Sequence, residues 1–250
     1  MQAVLALRPR QWTKNLLVFA GLVFAGRLLD LFSDARAMLA FAVFCLVSGV
    51  VYIFNDLADV EQDRLHPTKR WRPLASGRLK PGIARLMAIA ALLLAAALTA
   101  LLVVLPPDVS LTSVSFSLAP LHVEVAFSHP RALLADTDTY TRYGGSGLLF
   151  GAVVATYLAI NLAYTLRLKH VVLVDVFAIA AGFVLRAMAG AFAVAVHISP
   201  WLYLCTILLA LFLALGKRRQ ELVALAGDAG AHRPILALYT PQLLDQLIVI

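Results

Sequence analysis

Several apolar runs of about 20 residues, separated by short charged loops, constrain this chain most, because about 20 apolar residues are what a helix needs to cross a bilayer. Within hydrocarbon, a backbone must satisfy its own hydrogen bonds, and a helix does so inside one segment. The sequence is 62% hydrophobic and only 14% charged. We therefore predict an all-α, polytopic transmembrane helix bundle.

The apolar runs indicate about seven helices. They are expected at about 15–33, from Ala37 to the first aspartates, and at about 83–105, 147–166, 171–196, 200–216 and from Gln242 onward. A polar break at 33–36 separates the first two, and Pro106-Pro107 ends the third. Residues 106–146 are more polar, so we expect a single domain over 1–250 with an atypical external insert at 106–146.

Lysine and arginine concentrate in alternate loops. One side receives Arg8, Arg10, Lys14, the loop 64–85, Arg167, Lys169, Lys217, Arg218, Arg219 and Arg233, and the other only Arg27, Arg36, Arg131 and Arg142. Because positive loops stay inside, we predict a multi-pass cell-membrane protein with a cytoplasmic N-terminus. A net charge of +7 is compatible with nucleic-acid binding, but these charges border apolar runs, so we predict membrane lipids and no nucleic acid as partners.

Three aspartates stand at the end of the second apolar run, at Asp56, Asp59 and Asp63. A helix would bring them onto one stripe, where unpaired carboxylates repel each other unless a cation lies between them. Oxygen-only ligands, including Asn55, favour Mg²⁺. A solvated helix cap is the plainer interpretation, but it does not require three carboxylates on one face. The basic residues that follow, Lys69, Arg70 and Arg72, would suit a diphosphate.

Further polar residues lie at the same predicted membrane face. Tyr164, Lys169 and Asp175 surround the loop between the fourth and fifth helices, and Lys14 lies at the entry to the first helix. Lys14 is equally explained as part of the positive-inside signal. Arg186 lies at hydrocarbon depth, where it is either a structural contact or a functional group.

Nucleophilic catalysis has no support in the sequence. There is no Gly-x-Ser-x-Gly elbow, no Walker-type loop and no histidine pair at metal-ligand spacing on a common helix. The remaining chemistry is metal-assisted displacement of diphosphate.

At these residues the chain resembles the UbiA superfamily of membrane prenyltransferases. Asn55-Asp56-x-x-Asp59-x-x-x-Asp63 matches the first aspartate-rich motif of that superfamily in full. The second motif is matched in part by Tyr164, Lys169 and Asp175, with Ile179 where another aspartate could follow.

A narrower resemblance is to the decaprenyl-phosphate phosphoribosyltransferase branch. It is carried by the stretches at 8–15, 66–73, 166–172, 216–219 and 238–240. That branch transfers phosphoribose from phosphoribosyl diphosphate to polyprenyl phosphate, releases diphosphate, and feeds arabinan synthesis for the cell wall. The family's bundle has more helices than the sequence provides before it ends in its seventh apolar segment, so we expect its C-terminal helices to be missing.

The resemblance implies roles for the polar residues. Asp56, Asp59 and Asp63 would bind Mg²⁺ with Asn55, and Asp175 would act with Asp56 and Asp59 from the facing helix. The phosphates would be contacted by Lys69, Arg70, Arg72 and Lys169, with Lys14 and Tyr164 nearby. An aromatic prenyltransferase of quinone or haem biosynthesis would use the same aspartates and is the main alternative. A transporter is a third possibility, although it would place charge inside several helices.

Overall fold

Five long apolar helices form the body of the protein, and each has the length and hydropathy to cross a membrane. The structure, a computed structural model, describes residues 2–104, 114–118, 121–125, 146–196, 199–224 and 239–249. The five are α3 (Leu31–Ala58), α5 (Pro81–Val104), α6 (Ser146–Leu166), α7 (Val174–Ala193) and α8 (Pro200–Ala224). Shorter elements are α1 (Gln2–Ala6), α2 (Ala20–Phe24), α4 (Val60–Leu65), α9 (Pro241–Val249) and the 3-10 helices Pro9–Phe19, Lys69–Trp71 and Leu168–His170.

The polar insert falls mostly outside the described residues. Within it, β1 (Val114–Leu118) and β2 (Leu121–Val125) form an antiparallel hairpin with Val114 opposite Val125. In the part of the chain that the structure describes, these are the strands, and the other elements are helical.

The first predicted helix is wrong as a single element over 15–33. The chain forms the 3-10 helix Pro9–Phe19 and then α2, and it turns before α3 begins at Leu31. Gly26 and Leu29 take positive φ values of 64° and 77°, which a right-handed helix does not allow. The polar break expected at 33–36 lies inside α3, where Asp34 occupies the first turn and suits the positive end of the helix dipole.

The hydrophobic core lies where α3 meets α5, α6 and α7. Phe44 is fully buried and makes edge contacts with the rings of Phe150 and Tyr157, at centroid distances of 6.4 and 5.3 Å. Such edge-to-face contacts add to the dispersion energy of the packed interior. These contacts therefore fix the position of α6 relative to α3.

The N-terminal segment packs on α7 through two glycines. A Cβ atom on Gly190 would overlap the carbonyl of Val18, and one on Gly21 would lie 2.9 Å from the Cα of Ala191. Small residues allow helical backbones to approach closely in membranes, where dispersion rather than water exclusion drives association. The close approach brings the Pro9–Phe19 helix, and with it Lys14 and Asn15, against the bundle.

Arg36 joins three helices at one end of the bundle, which we call the Arg36 end. Its side chain is 2% exposed, and it donates hydrogen bonds to the carbonyls of Ala193 and, at 3.3 Å, Leu102. These carbonyls belong to the last turns of α7 and α5, where carbonyl groups have no hydrogen-bond partner within their own helix. A cation at two helix C-termini also matches the negative ends of their dipoles.

The Asp175 cluster, formed by Asp175, Arg218 and Tyr239, joins α7, α8 and the start of α9. The Asp175 carboxylate accepts hydrogen bonds from Arg218 Nε and from the Tyr239 hydroxyl, both at 2.7 Å. The hydroxyl of Tyr239 also accepts the backbone N–H of Leu173 at 2.8 Å. Burial and the hydrogen bond to Asp175 raise the pKa of Tyr239 to about 12. The Tyr239 hydroxyl therefore stays protonated and fixes α9 against α7.

Gly190→Ala is expected to lower the thermal stability of the detergent-solubilised protein, because overpacking costs about 1–3 kcal/mol. The matched control is Gly216→Ala in α8, where a Cβ meets nothing within 4 Å and alanine is a better helix former. Thermal unfolding monitored by circular dichroism measures both. Equal stability of the two variants would contradict the close approach at Val18.

Tyr239→Phe is expected to destabilise the docking of α9 by about 1–3 kcal/mol, because it removes one partner of buried hydrogen bonds. Hydrogen exchange across Pro241–Val249 should become faster. Tyr52→Phe serves as the control, since the Tyr52 ring, rather than its hydroxyl, contacts Arg8 at 4.8 Å. Unchanged exchange in Tyr239→Phe would show that its hydroxyl does not hold α9.

Candidate active site

The aspartate motif lies at the opposite end of the bundle from Arg36, which we call the aspartate end. α3 ends at Ala58 and α4 begins at Val60, so Asp59 connects two helices. The prediction of one continuous helix through the motif is wrong at this residue, as expected of an aspartate that disfavours helix interiors. The path stays nearly helical, because the N–H of Asp59 donates to Asn55 at 3.0 Å and that of Asp63 to Asp59 at 2.8 Å.

Arg72 bridges two of the three carboxylates. Its Nη1 lies 3.2 Å from Asp56 Oδ1 and 2.6 Å from Asp63 Oδ2. The side chains of Asp56 and Asp63 are only 3% and 4% exposed. Two buried carboxylates at this separation repel each other strongly, and a shared cation compensates for that repulsion and for their lost hydration.

Arg8 is a second cation at Asp56, and the sequence does not select it as a site residue. Its Nη2 forms an ion pair with Asp56 Oδ1, and its guanidinium lies over the ring of Tyr52. The backbone of Arg8 is left-handed, with φ 52°, a conformation that costs a non-glycine residue about 1–2 kcal/mol. Arg8 could be identified from the sequence only by its position before Pro9, in the N-terminal stretch that carries part of the family resemblance.

The loop after α6 supplies the third cation. Lys169 Nζ lies 2.8 Å from Asp59 Oδ1, and the Thr165 hydroxyl donates to Asn55 Oδ1. Lys169, a predicted site residue, and Thr165 are thus each brought to a partner in the motif that lies 110 residues earlier in the chain. Tyr164 is half-buried in the same turn of α6 and lies close enough to Arg218 to interact with its charge.

The other predicted site residues lie around this group. Arg70 is exposed and stacks over the ring of Trp71 at 5.0 Å, while Lys69 is half-buried in the same 3-10 turn. Asp175 is engaged in the Asp175 cluster. Within the described residues, no hydrogen bond or ion pair joins Asp175 to the three aspartates, so its predicted action with them stays a prediction.

An apolar cavity of about 450 Å³ lies between the Pro9–Phe19 helix, α2 and α8. Lys14 borders it at the aspartate end, and Leu17, Val23, Leu209 and Leu213 are among its walls. Lys14 is exposed overall, but partial desolvation by its neighbours lowers its pKa, and so do the like charges of Lys217, Arg186 and Arg8. Lys14 is therefore a cation in surroundings that favour an added anion.

The donors of the motif fit Mg²⁺ chemically, because Asn55 and the three aspartates offer oxygen alone. In the described ranges, no three acidic, histidine or cysteine side chains already form a metal-binding group. Asp56 and Asp63 nevertheless share one cationic nitrogen, so the space between these two carboxylates accommodates positive charge. The arrangement suits a Mg²⁺-bound anion whose phosphates replace the carboxylates as partners of the basic side chains.

Comparison with known proteins shows which sequences and folds this chain is similar to. A sequence profile of the UbiA prenyltransferase family matches residues 15–121. The decaprenyl-phosphate phosphoribosyltransferases of Corynebacterium glutamicum and Mycolicibacterium smegmatis are 34% and 35% identical to this chain over 94% of its length. The matches cover 59% and 61% of those two proteins, so the chain spans about three fifths of their length.

The fold is shared with a solved structure of a UbiA homolog from Archaeoglobus fulgidus bound to DMAPP and Mg²⁺. The superposition has a TM-score of 0.68 at 19% sequence identity and covers 100% of this chain and 73% of that one. At this identity the likeness concerns the fold alone. In sequence the chain is thus similar to the UbiA prenyltransferase family, and it shares the helical fold of a UbiA homolog.

Proposed function

We propose that this chain carries out Mg²⁺-dependent transfer of 5-phosphoribose from phosphoribosyl diphosphate to decaprenyl or a related polyprenyl phosphate, with release of diphosphate. The observation that carries the proposal is the identity of 34–35% to two phosphoribosyltransferases of that name over nearly the whole chain. The gathering of Arg8, Arg72 and Lys169 around buried and half-buried carboxylates supports it, because a diphosphate held through a metal needs both kinds of group.

In the proposed donor complex, the carboxylates of Asp56, Asp59 and Asp63 hold Mg²⁺ together with Asn55. When bound, the ion neutralises charge that develops on the leaving diphosphate. Arg72 and Lys169 turn from the aspartates to the phosphate oxygens. Lys69 and Arg70 approach from the loop that carries Arg72. A guanidinium suits this exchange because it binds carboxylate and phosphate with the same planar fork.

The proposed reaction is a displacement at the anomeric carbon of the ribose. An oxygen of the lipid phosphate supplies the electron pair for the new carbon–oxygen bond, and the pair of the broken bond leaves with the diphosphate. An ionised acceptor phosphate has no proton to lose, so no general base is required. The chain's residues act by holding two anions in line and by compensating their repulsion. The predicted roles of Asp175 and Tyr164 beside these anions are part of the proposal.

We also propose a location for the protein in the cell. The five apolar helices support a multi-pass membrane protein, and the cations at the aspartate end support a cytoplasmic position for that end in the cell membrane. A cytoplasmic site would meet the water-soluble donor directly while the lipid acceptor arrives through the bilayer. The product would then feed synthesis of cell-wall arabinan.

Asp59→Asn is expected to reduce transfer by about 100-fold or more, because it removes a charge that the metal and the transition state require. Glu61→Gln, two residues away, is the matched control: Glu61 is exposed and pairs with Arg64, so about wild-type activity is expected. The assay follows radiolabel from phosphoribosyl diphosphate into the lipid phase of membranes supplied with polyprenyl phosphate, with and without EDTA.

A parallel assay uses labelled prenyl diphosphate and an aromatic acceptor. Label that enters lipid only from phosphoribosyl diphosphate supports the proposal. A wild-type protein that transfers the prenyl label instead would favour the aromatic prenyltransferase, and equal activity of Asp59→Asn and Glu61→Gln would remove the aspartates from the mechanism.

A further inference from the structure

Two cations apart from the aspartate motif, Arg186 and Lys14, have no carboxylate partner among the residues that the structure describes. Arg186 is 6% exposed at the centre of the bundle. Its Nε donates to Asn15 Oδ1 at 2.8 Å, Nη1 to the carbonyl of Gly182 at 2.6 Å and Nη2 to the Tyr157 hydroxyl at 2.7 Å. All three acceptors are neutral. Within the described residues no acidic side chain pairs with Arg186, so its charge remains uncompensated.

Lys14 adds to the same uncompensated charge. Asn15 binds Arg186, and the neighbouring Lys14 projects to the cavity border, close enough to Arg186, Lys217 and Arg8 for their charges to act on it. Of these, Arg8 pairs with Asp56, and Lys217 has a long ion pair of 3.9 Å with Glu221. In the part of the chain that the structure describes, Lys14 itself has no carboxylate partner.

The cavity extends from Lys14 along apolar walls toward the Arg36 end. Its lining follows the chain from Thr13 to Phe24 on one side and from Thr206 to Leu213 on the other. At about 2.0 Å per residue in a 3-10 helix and 1.5 Å in an α-helix, the stretch from Lys14 to Phe24 is about 17 Å long. Phe183 also lines the cavity, and the guanidinium of Arg186 lies 5.5 Å from the centre of its ring.

A ligand that fits this arrangement has an anionic head and a long apolar tail. A cation at the mouth of an apolar channel favours the head, and burial of the tail contributes free energy in proportion to the area covered. A free phosphate would use only the cation at the mouth, and an uncharged isoprenoid alcohol would use only the apolar channel.

We infer that Lys14 binds the phosphate of the polyprenyl phosphate acceptor, with Arg186 and Lys217 supplying supporting positive charge and the adjacent cavity receiving the isoprenoid chain. The inference rests on the proposed function for the identity of the acceptor. It separates the acceptor phosphate at Lys14 from the donor diphosphate at the aspartates. Arg8 lies between the two, since it pairs with Asp56 and its charge also acts on Lys14.

Steady-state kinetics with each substrate varied in turn test the assignment. Lys14→Gln is expected to raise KM for polyprenyl phosphate about tenfold while KM for phosphoribosyl diphosphate stays within about twofold of wild type. Lys14→Arg keeps the charge and should recover most of the affinity. The matched control is Lys80→Gln, an exposed lysine just before α5, which should alter neither KM.

Two kinetic results would overturn the inference. If Lys14→Gln raised KM for phosphoribosyl diphosphate instead, Lys14 would belong to the donor site. If it changed neither KM while the wild-type protein transferred label, the acceptor phosphate would bind elsewhere and the proposed function would stand.

A binding measurement keeps the two proposals distinguishable. The melting temperature of the solubilised protein is measured with polyprenyl phosphate, polyprenol and inorganic phosphate. Polyprenyl phosphate should raise it most, and Lys14→Gln should reduce that rise to the level of polyprenol. This result would support the lipid-phosphate site even if no label were transferred. A lack of label transfer would count only against the proposed function. Equal shifts by polyprenyl phosphate and polyprenol would overturn the site.

Discussion

The ion pairs between three buried or half-buried aspartates and three basic side chains determine how the aspartate end is assembled. Asp56 and Asp63 are buried carboxylates that repel each other, and Arg72 forms ion pairs with both. Arg8 reaches Asp56 from the N-terminus, and Lys169 reaches Asp59 from the loop after α6. Such pairs add little net stability, but breaking one leaves a buried charge uncompensated. They therefore fix which segments meet at the site.

The remaining polar groups follow the rule that buried charge within a membrane needs a partner. At the Arg36 end, the partners are helix carbonyls that would otherwise lack hydrogen bonds. In the Asp175 cluster, a carboxylate, a guanidinium and a phenol satisfy each other. Arg186 also donates to neutral groups, but these are Asn15, Tyr157 and the carbonyl of Gly182, none of which is at a helix C-terminus. We propose two anion sites. At the aspartate end, a bound anion can take the place of the carboxylates as partner of the cations. At Lys14, the described residues provide no carboxylate partner for the cation.

The sequence predicts the spans and the motif well, because both depend on local information. Apolar runs locate α5, α6, α7 and α8, and the aspartate spacing identifies the site. The break at 25–30 was missed, since Leu29 gives no composition signal for its positive φ. Arg8 and Thr165 were missed as partners of the motif, and Arg218 as the partner of Asp175, because contacts between distant segments arise from packing rather than from spacing. The contact between Asp59 and Lys169 is of the same kind.

Binding of the sugar diphosphate at the aspartate end through Mg²⁺ can be measured by calorimetric titration of the solubilised protein with phosphoribosyl diphosphate, without acceptor lipid. We expect binding at least about tenfold tighter with Mg²⁺ than with EDTA, and displacement of the bound ligand by inorganic diphosphate. Equal affinity in EDTA, or undiminished Mg²⁺-dependent binding when Asp56, Asp59 and Asp63 are all replaced by asparagine, would contradict this proposal.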